Sequence, residues 1–228
     1  MEIKVKCPDC GKMLRVTVEA EEMPKVSLIK KQESEMTWED IVANKDKFCI
    51  GDEVRCQLKN GKVVYAVVAA INPYGDNQIA FVFKDCIGED QAMNDKATNK
   101  GGWRDCKMRE YVNTEILALL PDDLKSVIRP RTIKQSVQGE DCESTDSLWL
   151  LSYTEVFGGD CSVDVGDVHF PLFDTKGSRV KMNEDGDTWC YWLRSAGNTN
   201  NFRSVYSDGY NHYNIAYNSS GVALGFLV

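Results

Sequence analysis

The chain has 228 residues, of which 43% are hydrophobic and 27% charged, and its formal charge is -8. That is enough length to bury a core as one large domain, or as one domain with a small appendage, and the composition is that of an ordered globular protein. The acidic balance argues against general nucleic-acid binding, which needs Lys and Arg gathered on one face.

Residues 1 to about 20, "MEIKVKCPDCGKMLRVTVEA", read as two short strands around a Cys-Pro-Asp-Cys-Gly turn. Such a knuckle occurs in zinc ribbons, and Cys7 and Cys10 are candidate zinc ligands. They supply only half of a four-ligand site, and neither His169 nor His212 stands at ribbon spacing. No βαβ pattern supports a redox role for the pair. The mixed-charge "EEMPKVSLIKKQESEM" reads as a tether, with a boundary near Glu35, so the expected domains are 1-35 and 36-228.

Val54 to Phe83 is expected to form an antiparallel meander, with an Asn60-Gly61 hairpin turn whose central residues both take positive φ. "GWRDCKMREYVNTEILALLPDDLKSVI" places Met108, Tyr111, Val112, Ile116, Leu119 and Leu120 at helical spacing, and Pro121 opens a second, short helix. "RPRTIKQSV" and "DSLWLLS" read as strands, "YTEVFG" as one helical turn, and residues 159-187 as a long irregular loop. "TWCYWLRSA" is a dense apolar strand, "NFRSVYSDG" and "YNHYNIAYN" are polar strands or loops, and "GVALGFLV" closes the chain as a strand. The fold class is α+β, with antiparallel strands, one long and one short helix, and long irregular loops.

No apolar run of signal-peptide or membrane-span length is present, which leads to a cytoplasmic protein with no membrane insertion. Nine cysteines, several inside apolar runs, then read as reduced thiols. Two histidines leave few ways to build a nucleophilic triad. His169 reads as a loop or core histidine, and the acidic pairs Glu39/Asp40 and Asp122/Asp123 as helix caps. Asn183 to Asp187 resembles a calcium loop in composition but lacks the closing Glu.

The order "WRDCKMREYVNTEILALL", "LWLLSYTEVFG" and "WCYWLRSAGNTNNFRSVYSDGYNHYNIAYNSSGVALGF" resembles a large bacterial and phage family of uncharacterised domains. Its marks are Trp-x-x-Cys-x-x-Arg-x-Tyr-x-Asn, here Trp103 to Asn113, a Leu-Leu-Ser strand, and Trp-Leu-Arg-Ser followed by a Gly-Val strand. The likeness runs from about Trp38 to Val228. It implies a C-type lectin-like fold of the formylglycine-generating-enzyme type, and a subset of such domains are variable proteins of diversity-generating retroelements. In that subset template adenines are rewritten, so that Asn codons become Tyr, His, Asp, Ser, Ile or Thr. The resemblance therefore implies a variable-type segment at about 194-221, with Ser204, Tyr206, Asp208, Tyr210, His212, Tyr213, Ile215 and Tyr217 reachable from Asn. Asn211, Asn214 and Asn218 would be unchanged or reverted positions, and Phe202, Val205, Gly209 and Ala216 the constant framework.

A Tyr- and Asn-rich segment joins rigid amphipathic rings to adaptable hydrogen bonds, as antibody loops do. The alternative is an ordinary solvated hairpin whose rings pack across strands. On the first reading the protein is a non-catalytic binding protein, virion-associated or intracellular, requiring no cofactor, with protein partners ranked above glycans because the motifs of calcium-dependent sugar binding are absent. The ligand-binding candidates are Ser204, Tyr206, Asp208, Tyr210, Asn211, His212, Tyr213, Asn214, Ile215 and Tyr217. One rival is an enzyme of the same superfold, for which Cys161 and Cys190 would have to meet in a cleft. The other is a zinc-dependent docking module at the N-terminus.

Overall fold

The computed structural model describes Met36–Val228 and the backbone of two N-terminal strands, and the chain divides into the units Met1–Glu35 and Met36–Val228. In the first unit β1 (Glu2–Lys6) pairs antiparallel with β2 (Met13–Thr17). Cys7 and Cys10, the candidate zinc ligands, lie outside the described residues.

The larger unit opens with helix α1 (Trp38–Ala43). Thr37 caps it, accepting the Asp40 N–H while the Asp40 carboxylate accepts the Thr37 N–H, so this acidic residue serves the helix start. The meander follows as β3 (Glu53–Gln57), β4 (Val63–Ile71) and β5 (Ile79–Phe83). Its first turn differs from expectation. Gly61 takes positive φ (+88°) but Asn60 does not; the Asn60 side chain instead accepts the Lys62 N–H at 3.1 Å. The two-residue turn with both φ values positive occurs elsewhere, at Gln138 (+53°) and Gly139 (+82°).

After β6 (Gln91–Ala92), the expected long helix runs as α2 (Lys107–Tyr111), a π turn at Val112–Ile116, and α3 (Leu117–Leu119). Both Val112 and Ile116 are buried across the π turn, and Asn113 fastens the helix by donating to Leu148 O and accepting the Leu148 N–H. Pro121 caps α4 (Asp122–Val127) from outside the helix rather than within its first turn.

Next come β7 (Arg131–Val137), β8 (Glu140–Asp146) and β9 (Trp149–Leu150). Strand β8 was not expected, because its inward positions are Cys142, Ser144 and Asp146 rather than aliphatic residues. Helix α5 (Tyr153–Phe157) leads into the irregular region, which contains only short strands: β10 (Asp164–Val165), β11 (Lys181–Met182) and β12 (Thr188–Trp189). Asn183 Oδ1 accepts the N–H groups of Asp185 and Asp187, so the acidic "NEDGD" run forms the turn between β11 and β12.

The chain ends with β13 (Tyr191–Ala196), β14 (Asn201–Val205), β15 (Asn211–Ile215), β16 (Ser219–Ser220) and β17 (Leu224–Leu227). Strand β17 lies between β5 and β9 in a five-stranded antiparallel sheet of order β3-β4-β5-β17-β9. Phe226 stacks on Phe81, and Trp38 meets both rings edge-on. A second antiparallel sheet, β13-β14-β15, carries the candidate binding segment. The architecture is mixed α+β, mostly antiparallel strands with few helices. Among the described residues no helix is long and apolar enough to cross a membrane.

Candidate functional site

The Trp-Leu-Arg-Ser signature of β13 holds the sheet in place. Trp192 and Leu193 are buried in the core, and the Trp192 indole N–H donates to Gln91 O at 2.8 Å. Arg194, following a strongly apolar run, needs a carboxylate if it is to be buried. It has two. Its guanidinium donates to both oxygens of Glu155, at 2.7 and 3.1 Å, to Leu150 O at 2.6 Å, and to Asp167. Arg131 completes the cluster by pairing with Glu155 and Asp167 while its guanidinium lies 3.5 Å over the Tyr74 ring, whose hydroxyl donates to Glu155. Burial alone would raise the Glu155 pKa, but the two guanidiniums hold it down at about 2. Glu155 also closes the capping box of α5 with Ser152, so one carboxylate ties the helix to the strand. Ser195 donates to Asp164 and accepts the Tyr153 N–H.

Upon this base stands the β14–β15 hairpin, with Phe202 opposite Asn214, Arg203 opposite Tyr213 and Ser204 opposite His212. The turn between the strands is closed by the Tyr206 N–H donating to Tyr210 O at 2.8 Å. Gly209 is required there for two reasons. Its φ is +84°, and a Cβ at this position would lie 2.5 Å from Lys176 O. The framework residues Phe202, Val205, Gly209 and Ala216 are all buried. The tyrosines between them are not: Tyr206, Tyr210, Tyr213 and Tyr217 are 44%, 59%, 42% and 52% exposed.

Strand geometry divides the candidates between two sides of the hairpin, since neighbouring residues on a strand point to opposite faces. His212 packs against the Tyr206 ring, with centroids 4.1 Å apart. Tyr213, its neighbour, faces Arg203 on the other side. Tyr210 rests on Lys176, whose Nζ lies 3.6 Å from the ring centroid, and Lys176 also approaches Asp208 at 3.6 Å. Asn211 and Ile215 are half-buried, and Asn211 Oδ1 accepts from Arg203 at 3.4 Å. Asn214 is half-buried and engaged within the chain, its Oδ1 accepting from the Ile215 N–H and the Asn218 amide.

Ser204 corrects the expectation: only 4% exposed, it sits in the middle of the sheet between Trp192 and His212, so its hydroxyl is withdrawn from the surface. The loop before β14 is anchored by Asn99, buried, whose amide donates to the carbonyls of Asn198 and Asn201.

Beside this hairpin lies a cleft of about 480 Å³, lined by Asp160, Cys161, Asn198, Asn201, Arg203 and Tyr213 among others. Arg203 was not singled out from the sequence, although it is the one Lys or Arg between Ser195 and Val228. Cys161 lines the cleft and Cys190 does not; burial raises the Cys161 thiol above its ordinary value, which works against a thiolate. Cys56 and Cys86 are buried and Cys190 half-buried, all three as free thiols. His169 Nε2 bonds to Asp174 at 2.9 Å in the irregular region. Among the described residues no group of three or more His, Cys, Asp or Glu is placed to hold a metal ion.

No curated protein and no solved structure matches the chain. The model of one family, described as a domain of unknown function (DUF6273), matches residues 77–226. That span covers more than half of the chain, runs from the end of the meander into the last strand and includes both the Arg194 cluster and the exposed hairpin, so the chain belongs to this family.

Proposed function

We propose that the larger unit is a non-catalytic binding domain with a C-type lectin-like fold, and that the β14–β15 hairpin is its recognition element. One observation carries this reading. The four tyrosines at 206, 210, 213 and 217 are exposed while the interleaved Phe202, Val205, Gly209 and Ala216 are buried. Among the described residues thirteen large apolar or aromatic side chains are exposed, and four of them fall within this single hairpin and the turn after it. Among the same residues none of the four rings stacks on another; Tyr206 leans on His212, Tyr210 on Lys176 and Tyr213 on Arg203, and the ring area these contacts leave uncovered, with that of Tyr217, is open to a partner. Rings with few rotatable bonds bind at small entropic cost, and Asn and Asp nearby supply hydrogen bonds at the rim.

The recognition surface in this reading runs over the turn Tyr206–Tyr210 and both sides of β15. Protein partners fit it better than glycans, because the sequence lacks the Glu-Pro-Asn, Gln-Pro-Asp and Trp-Asn-Asp motifs of calcium-dependent sugar binding. The split between variable-type and framework positions also supports membership of the variable proteins of diversity-generating retroelements. Zinc at Cys7 and Cys10 would belong to a separate docking unit.

The test is a paired capture experiment. Wild-type protein and the Tyr206→Ser, Tyr210→Ser, Tyr213→Ser, Tyr217→Ser variant are immobilised at equal density and exposed to the same bacterial surface proteins. The expected result is a partner retained by the wild type and lost by a variant of unchanged thermal midpoint. Equal retention by both contradicts the reading. Sequencing the gene from independent isolates adds a genetic arm, in which substitutions should gather at positions 206, 208, 210, 212, 213 and 217 and spare 202, 205, 209 and 216.

A further inference from the structure

We propose that Arg203 is a preorganised carboxylate clamp, and that the cleft beside the hairpin accepts an acidic group of a protein partner. The inference rests on the binding-hairpin reading and names the chemistry that one side of the hairpin would recognise.

Arg203 is held by rings on two sides. Its guanidinium carbon lies 4.1 Å from the Tyr153 ring centroid on α5 and 4.9 Å from that of Tyr213 on β15. Such stacking restrains the plane of the guanidinium while leaving the Nη groups at its outer end able to bond. Among the described residues those donors are almost unused. The single hydrogen bond is from Nη1 to Asn211 Oδ1 at 3.4 Å, at the long limit for such a bond. Among the described residues Nε, shielded from solvent, finds no acceptor, and no carboxylate lies within ion-pair distance of the guanidinium. The contrast with Arg194, nine residues earlier and bonded to two carboxylates and a carbonyl, shows how the same fold treats an arginine it needs for packing.

A second unmatched group belongs to a residue lining the same cleft. Asn201 lies two residues before Arg203 on β14, hence on the same side of the strand, and among the described residues its Oδ1, shielded from solvent, has no donor. A positive fork lining a cleft suits a carboxylate, as an acidic residue of a peptide presents. A planar oxyanion matches the fork in bidentate fashion, and such charge-assisted bonds are about twice as strong as neutral ones. Asp160 lines the cleft as well and is the one opposing charge there. The overall acidity of the chain is screened beyond about 8 Å at physiological salt, so Asp160 is the group that sets the local balance.

The experiment titrates three peptides into the full chain: acetyl-Gly-Asp-Gly-amide, its Asn counterpart, and acetyl-Gly-Gly-Gly with a free carboxyl terminus. The readout is the Nε–Hε resonance of Arg203. The Asp peptide is expected to shift that resonance and to bind about tenfold more tightly than the Asn peptide, the ratio of one charge-assisted bond. Arg203→Gln should abolish the difference, Arg203→Lys should keep the charge but lose most of it, and Asp160→Asn should tighten binding of the Asp peptide. Asp160→Asn leaves the stacked arginine in place, so it tests the clamp even where an Arg203 variant unfolds. Preference for the free-terminus peptide over the Asp peptide would identify a chain end as the source of the carboxylate. Equal binding of the Asp and Asn peptides, or no effect of Asp160→Asn, overturns the clamp. A capture variant limited to Tyr206→Ser, Tyr210→Ser and Tyr217→Ser leaves Tyr213 against Arg203, so failure of the clamp leaves that experiment standing and the two proposals fall separately.

Discussion

Strand β13 and the β14–β15 hairpin are neighbours in one sheet, yet they treat their polar side chains in opposite ways. In β13, Arg194 and Ser195 are fully buried, with Arg194 bonded to Glu155 and Asp167 and Ser195 to Asp164. In the hairpin and the turn after it, four tyrosine rings are partly exposed, and among the described residues Arg203 makes a single hydrogen bond. The difference separates polar groups held in a buried ion-pair cluster from polar groups left at the surface. Evolution can change the second kind without unfolding the protein, which is the physical condition for a variable binding surface.

The largest expected effect lies on the β13 side. Arg194→Met would leave Glu155 and Asp167 buried with a single cation, and breaking such a cluster costs about 3–5 kcal/mol. Urea unfolding should register that loss; a change near zero would mean that the cluster does not secure the strand.

Lys181 gives a pH-dependent version of the same test. It is fully buried, its ammonium donates to Phe83 O and Lys84 O, and burial depresses its pKa to about 8 from an ordinary value of 10.5. Between those two values the unfolded chain binds more protons than the folded one, so this residue contributes stability that grows as the pH rises. Buried cysteines act in the other direction: Cys56, Cys86 and Cys106 are pushed up to about 12 by burial, and they lose stability to the unfolded thiolates as the pH climbs. The informative quantity is therefore the difference between wild type and Lys181→Met. Relative to the variant, the wild type should gain up to roughly 3 kcal/mol from pH 7.5 to 10.5, at about 1.4 kcal/mol per pKa unit. A difference that stays flat across that range would contradict the buried charge.

Gly209→Ala sits at the boundary between the two regions. A Cβ there meets Lys176 O in a backbone conformation that side chains rarely adopt, and strain of this kind costs about 1–3 kcal/mol. Thermal unfolding should show the loss, whereas an unchanged midpoint would mean that the turn is not seated against Lys176. The smallest effects belong to the exposed rings. Serine at Tyr206, Tyr210, Tyr213 or Tyr217 should change stability by roughly 0.5 kcal/mol or less in each case, as surface substitutions do.

The sequence was readable where apolar side chains carry the pattern. Val54 to Phe83, the strand around Trp192 and the closing strand through Phe226 stand out because their aliphatic and aromatic residues repeat at strand spacing. Strand β7 is legible in "RPRTIKQSV", whereas its partner β8 is not, for the converse reason. Cys142, Ser144 and Asp146 point inward on β8, and Asp146 is buried because Trp103 and Arg109 donate to it from far earlier in the chain, with Ser144 beside it on the strand donating as well. Partners so distant in sequence leave no local trace. In the hairpin the alternation of framework and exposed positions was legible, but its division into two sides followed only from the register of Arg203 opposite Tyr213 and Ser204 opposite His212. That register also buries Ser204, a residue whose type alone suggests surface.

A saturation mutagenesis scan of residues 191–221, read out by protease resistance of each variant, tests the separation of the two regions most directly. The account predicts that Tyr206, Asp208, Tyr210, His212, Tyr213 and Tyr217 accept most polar substitutions with little loss of resistance, while Trp192, Arg194, Phe202, Val205, Gly209 and Ala216 accept few. If the four tyrosines proved as intolerant as Phe202 and Val205, their rings would be serving the fold, and the hairpin would lose its standing as a recognition element.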